Sequence, residues 1–313
     1  MERLLSAAFM EDLQSGILHN LLERVRSDDT LMLAIRKGYI NIYYRGGNIL
    51  RLEEKPSRIY NAHFDVNYGL GDSKQLPPSQ VASSNDIETW IEYFPILKHT
   101  MDSWFSRNPK MEREFQQLVV RENNSSPVSN ETEYFMVDIE LADSSLGARF
   151  DMMAIKWPAK ARKSGEVRLA LIEMKYGDGA LTGKSGIAEH LQQLQNCLCD
   201  LEKRKKLCAM AEGQINQLNQ LGLLRHKKGA EREFFVDGSS IEAIFLFANH
   251  NPRSPKLLDE LKSLEGVFRS IEEQNIFMPR FFVASTAGYA MHDICMVGID
   301  DYLALLGKQP QEP

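Results

Sequence analysis

Arg149-Phe-Asp-Met-Met-Ala-Ile-Lys-Trp157 and Val167-Arg-Leu-Ala-Leu-Ile-Glu-Met-Lys-Tyr176 are two β-rich runs joined by a short loop from Pro158 to Gly165. Their reading decides the fold. Side chains alternate along a strand, so Glu173 and Lys175 face the same way. If the two runs pair as a hairpin, Asp151 stands beside Glu173. Two carboxylates and a lysine then meet at one place on a sheet. Ala170-Leu-Ile precedes Glu173, so the strand is expected to be largely buried. A charged pair ending a buried strand needs partners, water or a metal.

Working outward, Tyr134 to Leu141 reads as a strand before the first run. Gly177, Gly179, Gly183 and Gly186 make a Gly-rich loop after the second. A long helix follows, with Ile187, Leu191, Leu194, Leu198 and Leu201 at helical spacing. Ile241 to Ala248 reads as a buried strand, Leu257 to Ile271 as a helix, Arg280 to Ala284 as a strand and 299–306 as a last short helix. Upstream, 86–105 and about 110–122 are helical by pattern, broken at Asn108-Pro109. The order from residue 110 is αβββαβαβ, which predicts an α/β fold whose mixed central sheet is flanked by helices. The connection from the third strand to 241–248 should be a parallel, right-handed crossover.

Residues 4–25 carry apolar side chains at helical spacing. Tyr39 to Tyr44 and Ile49 to Leu52 flank Gly46-Gly47, a hairpin signal. Residues 69–86 read as a linker. The division is therefore 1–85, an α+β accessory region with a hairpin, and 86–313, the main domain, with its core at about 110–285.

The chain has 313 residues, 43% of them hydrophobic, with a net charge of -6. These values exclude a disordered, collagen-like or disulfide-scaffold protein. The charge argues against indiscriminate coating of nucleic acid. It is unevenly spread: residues 110–155 carry 4 bases and 9 acids, whereas 156–206 carry 11 and 6. That split predicts one localised basic groove next to an acidic site. No stretch suggests a secretory signal or a membrane span. Cys197, Cys199, Cys208 and Cys295 read as reduced thiols of a cytoplasmic protein.

Two adjacent carboxylates repel unless a cation or proton separates them. Mg²⁺ suits them, since it takes oxygen ligands and often binds through one or two carboxylates plus waters; Mn²⁺ is expected to substitute. Asp151, Glu173 and the Met174 carbonyl are the expected ligands. Such a metal acidifies water and stabilises charge on phosphate. Lys175 would orient the water or neutralise the phosphate. A phosphate-loop ATPase is a poor alternative, because Gly179 to Ser185 has one residue too few between its glycines.

On Phe150-Asp151, Ile172-Glu173-Met174-Lys175 and the element order over 110–250, the chain resembles the PD-(D/E)xK nuclease superfamily. Phe150 stands where the motif has its Pro. The resemblance implies a restriction-endonuclease-like αβββαβ core and a hydrolase, an endonuclease cutting DNA phosphodiesters in defence or repair. It implies that Asp151 and Glu173 hold the metal and that Lys175 assists the water. It also implies a further Glu before the first strand, for which Glu114 is the choice, and a polar residue on the later helix, for which Gln193 is the choice. His190 shares a face with Gln193.

Lys156, Lys160, Arg162 and Lys163 surround the hairpin loop and are expected along a phosphate backbone. Partners are then nucleic acid, DNA rather than RNA, and no membrane, with a homodimer or larger complex left open. A non-catalytic nucleic-acid-binding or regulatory module on the same fold is the competing reading.

Overall fold

The computed structural model describes residues 3–69, 76–127, 129, 131–159, 162, 165–226, 233–283 and 288–308. It is a mixed α/β chain with two sheets. Two compact units divide it: Met1–Pro127 with Gly213–Glu231, and Val128–Glu212 with Arg232–Pro313.

In the first unit the N-terminal apolar run forms two helices, α1 (Ala7–Gln14) and α2 (His19–Ser27), where one was expected. The break is at Gly16, where a Cβ would lie 2.3 Å from Asp12 Oδ1. Strands β1 (Leu31–Ile35), β2 (Tyr39–Tyr44), β3 (Gly47–Lys55), β4 (Ile59–His63) and β5 (Gln80–Val81) form an antiparallel sheet in chain order. Strand β1 was not foreseen. The β2–β3 hairpin is present, but its positive-φ residues are Arg45 and Gly46, because Tyr44 pairs with Gly47. Two helices follow, α3 (Ser84–Phe105) and α4 (Met111–Asn124). Ser83 and Asp86 form a capping box at the start of α3.

The compact units do not divide at residue 85, where the sequence reading put its boundary. Helices α3 and α4 cluster with the first sheet, so the opening helix of the αβββαβ pattern belongs to the first unit. The physical reason is local. The α4 residue Gln117 accepts from Gly46 N (2.7 Å) and donates to Thr30 O (2.8 Å).

The second unit holds the quoted runs. Strands β6 (Tyr134–Asp143), β7 (Ala148–Lys156) and β8 (Glu166–Tyr176) form an antiparallel meander. The expected long helix is two, α5 (Ile187–Leu198) and α6 (Leu201–Gln220), of which α6 belongs to the first unit from Gly213 on. Asp200 ends the first and caps the second, accepting from Glu202 N at 2.9 Å. Lys203 to Lys206 thus opens a helix. Next come β9 (Phe235–Ala248), α7 (Lys256–Glu273), β10 (Met278–Phe282), β11 (Met296–Val297) and α8 (Ile299–Leu306). The sheet runs β11-β10-β9-β8-β7-β6, with β8, β9 and β10 mutually parallel. Parallel strands buried on both faces read as continuous apolar runs, which is why Leu169 to Ile172 and Ala243 to Leu246 are buried without alternation. Among the described residues, no helix is long and apolar enough to cross a membrane.

Candidate active site

The β7–β8 ladder positions the charged trio. Its last pair is Met152 with Ile172. One step further along this register sets Asp151 opposite Glu173. At that step a side chain takes over from the main chain, and Asp151 Oδ2 accepts from Met174 N at 2.8 Å. Glu173 and Lys175 are 1% and 3% exposed, and Lys175 Nζ lies 3.8 Å from Glu173 Oε2. On α5, His190 brings Nδ1 to 2.6 Å from the same Glu173 oxygen. The Asp151 carboxyl is pushed up to about 7, first by burial and then by the Glu173 charge. Lys175, the Met174 N–H and His190 pull it back only in part.

His250 anchors the loop that follows. Its Nε2 lies 3.1 Å from the Lys175 carbonyl and its Nδ1 3.1 Å from Asp178 Oδ1. Gly177, at φ +72, donates its N–H to Ala248 O at 2.8 Å. The turn that follows Lys175 is therefore tied to the end of β9.

Asp151, Glu173, Met174 and Lys175 are brought together. Gln193 is not among them. Gln193 donates to Glu189 Oε1 at 3.2 Å on the outside of α5, and His190, three residues earlier, takes the position beside Glu173. The helical spacing of these two residues was the available signal; periodicity alone does not say which of them points inward. Glu114 lies in the first unit, where Arg45 Nε donates to it at 2.8 Å.

Lys156 is buried and bound internally, at 2.8 Å from Glu242 Oε1 and also paired with Asp293, which removes it from a phosphate-facing set. Arg162 lies over the rings of Phe135 and Trp157 and donates to Thr132 O, so it too is turned inward. Lys160 and Lys163 lie outside the described residues.

Glu140 sits between the pairs Ile139–Met152 and Leu141–Phe150, which puts it opposite Asp151. It has φ +50 and pairs with Arg149 at 3.4 Å. Asp138, 2% exposed, accepts from Ile139 N at 2.8 Å.

Among the described residues, no three His, Cys, Asp or Glu side chains are arranged to hold a metal ion by themselves. Two carboxylates suffice for Mg²⁺, which commonly keeps several waters. Burial raises Asp151 first and the Glu173 charge second, and a divalent cation between the two carboxylates would relieve that repulsion, so the donor set fits the ion. In comparisons with protein-family models, curated proteins and solved structures, nothing matches this chain.

Proposed function

We propose that the protein is a Mg²⁺-dependent endonuclease that hydrolyses DNA phosphodiester bonds at Asp151, Glu173 and Lys175. The observation that carries this reading is the meeting of two carboxylates and a lysine where the β7–β8 ladder ends. A restriction-endonuclease-like core is part of the proposal. The strand order of the second sheet supports it, with a three-stranded antiparallel meander followed by a parallel crossover. Action in the cytoplasm, in defence or repair, belongs to the same reading.

Asp151 and Glu173 would hold the ion, which when bound supplies positive charge to a phosphate oxygen and acidifies water. The chain's own residues do the rest. The Met174 N–H fixes one Asp151 oxygen, so the carboxylate is oriented before substrate arrives. His190 braces Glu173 from the helix side. The Lys175 ammonium stands on the same face as Glu173, where it orients the attacking water and stabilises charge developing on the phosphate. Burial keeps these interactions in a low-dielectric setting, where each is stronger than in water.

The test is cleavage of linear and circular DNA in Mg²⁺ by Glu173→Ala and Lys175→Ala. Each should lose at least about a hundredfold in rate, the scale of removing one preorganised charge-stabilising group. Thermal melts should show both variants folded. Full activity of folded Glu173→Ala would overturn the reading.

A further inference from the structure

The carboxyl end of β9 opens into a cavity of about 260 Å³. Phe247, Leu258 and Tyr302 give it an apolar lining, and Asn249, His250 and Asn251 give it a polar one. Phe247 is the only residue from Ile241 to Ala248 that is not buried. An apolar side chain left part-open in a run otherwise covered on both faces marks a gap in the covering layer. The Phe247 ring is stacked with Tyr302, centroids 5.9 Å apart and planes 23° apart, while His250 stands edge-on at 5.6 Å.

The polar residues are held in place. Asn249 is at φ +55, a conformation Asn tolerates better than most residues, and its amide donates to Tyr176 Oη at 3.1 Å. Asn251 donates its backbone N–H to Asp178 and accepts from Arg253 N through Oδ1. None of the residues lining the cavity is acidic.

This cavity adjoins the catalytic trio. Phe247 is the register partner of Lys175 across the parallel β8–β9 pair. Neighbouring strands lie about 4.8 Å apart. His250 lines the cavity and also contacts the Lys175 carbonyl.

We infer that the cavity receives one nucleobase of the strand whose phosphate is held at Asp151, Glu173 and Lys175. The inference rests on the nuclease reading. A nucleobase is a planar heterocycle with a π face and a hydrogen-bonding edge. Aromatic walls accept the face of any base, and amides bind the edge. At about 260 Å³ the cavity lies just below the usual range for ligand pockets, which suits a single heterocycle and excludes a duplex. A base seated there has left its stack. Unpaired or distorted DNA is therefore the preferred substrate, because unstacking is least costly in it.

Leu306→Trp tests this. Leu306 lines the cavity from the end of α8 and is only partly buried, so the larger ring fills the space without disturbing the core. Asn249→Gly removes an amide while keeping the left-handed backbone. Single-stranded oligodeoxynucleotides carrying one abasic site, walked across the cut position, are cleaved in Mg²⁺. Wild type should slow about tenfold when the missing base is at one position beside the scissile phosphate, the lower end of what stacking one base contributes. Leu306→Trp should cut every member at that lower rate. Asn249→Gly should show a smaller loss. Cleavage indifferent to both the abasic position and Leu306→Trp overturns the pocket and leaves the nuclease standing.

In parallel, saturation-transfer NMR follows deoxyadenosine and thymidine on the Glu173→Ala protein with and without Leu306→Trp. Binding should be present and lost on filling the cavity. If no nucleic acid is cut, the nuclease reading fails, and this second measurement still decides the cavity. Nucleoside binding sensitive to Leu306→Trp supports it, and none overturns it.

Discussion

Asp151 carries a proton problem. Its carboxyl moves from the ordinary 3.8 to about 7 on folding, by burial first and by Glu173 second. The folded chain therefore binds a proton that the unfolded chain has released across that interval. Stability falls as pH rises from about 4 to 7 and stays reduced above it. Asp151→Asn removes the penalty. It should raise the melting temperature near pH 8 in metal-free buffer and leave it unchanged near pH 4. Added Mg²⁺ should then stabilise wild type near pH 8 and not the variant, because a ligand stabilises only the form that binds it. Equal melting shifts at both pH values would overturn the raised pKa of Asp151. At this scale the residues of the trio were legible, since strand alternation fixes which of them share a face. The partner His190 was half-legible. Its spacing marked a face, but the packing of α5 decided that it, and not Gln193, meets Glu173.

Strands bring distant charges into fixed registers, and the buried cluster around Glu242 shows what that does. Glu242, 3% exposed, accepts from Tyr134 Oη at 2.6 Å and from Lys156 Nζ at 2.8 Å. Burial, followed by the Glu242 charge, holds the Tyr134 hydroxyl far above its usual range. Burial alone would lower Lys156, yet Asp293 and Glu242 hold it above its ordinary value. Breaking a buried pair from one side leaves an uncompensated charge. Glu242→Ala should cost about 3–5 kcal/mol in urea unfolding, whereas Glu242→Leu with Lys156→Met should be far milder. A Lys156→Met protein of unchanged stability but weaker, less salt-sensitive DNA binding would instead restore Lys156 to a phosphate-contacting role. The elements themselves were well marked by periodicity. Apart from the unforeseen β1, what escaped was their ends and interruptions. Examples are the extra residue Val137 in β6, which shifts register between Met136 and Asp138, and the cap at Asp200 that splits one helix into two. A bulge has no pattern of its own, because one added residue merely reverses the alternation beyond it.

The chain returns to its first unit after leaving it. Residues 213–231 belong with 1–127. Gln217 closes on Leu5 in both directions, at 3.0 and 2.9 Å, and Arg26 Nε donates to Leu221 O at 2.9 Å. Gln214 donates to Ile35 O at 3.2 Å. A fragment of residues 128–313 loses all these partners and uncovers Leu218 and Leu221, both buried in the whole chain. It should express as aggregate or show a cooperative transition well below that of the full chain, measured by soluble yield and calorimetry. A soluble fragment melting like the full chain would show that 213–231 needs no first unit.

The antiparallel meander, its parallel pairing with 241–248 and the meeting of Asp151, Glu173 and Lys175 were determined by the sequence alone. Each follows from local periodicity and from the fixed alternation of a strand. Tertiary structure alone decided which cations stay available to a ligand, which helices join which sheet, and which residues surround the trio. Lys156, Arg162 and Glu114 look on paper like free charges. They are taken up by Glu242 and Asp293, by Phe135 and Trp157, and by Arg45. A charge's role depends on partners far along the chain, and their distance in space is set by packing, which no local pattern encodes.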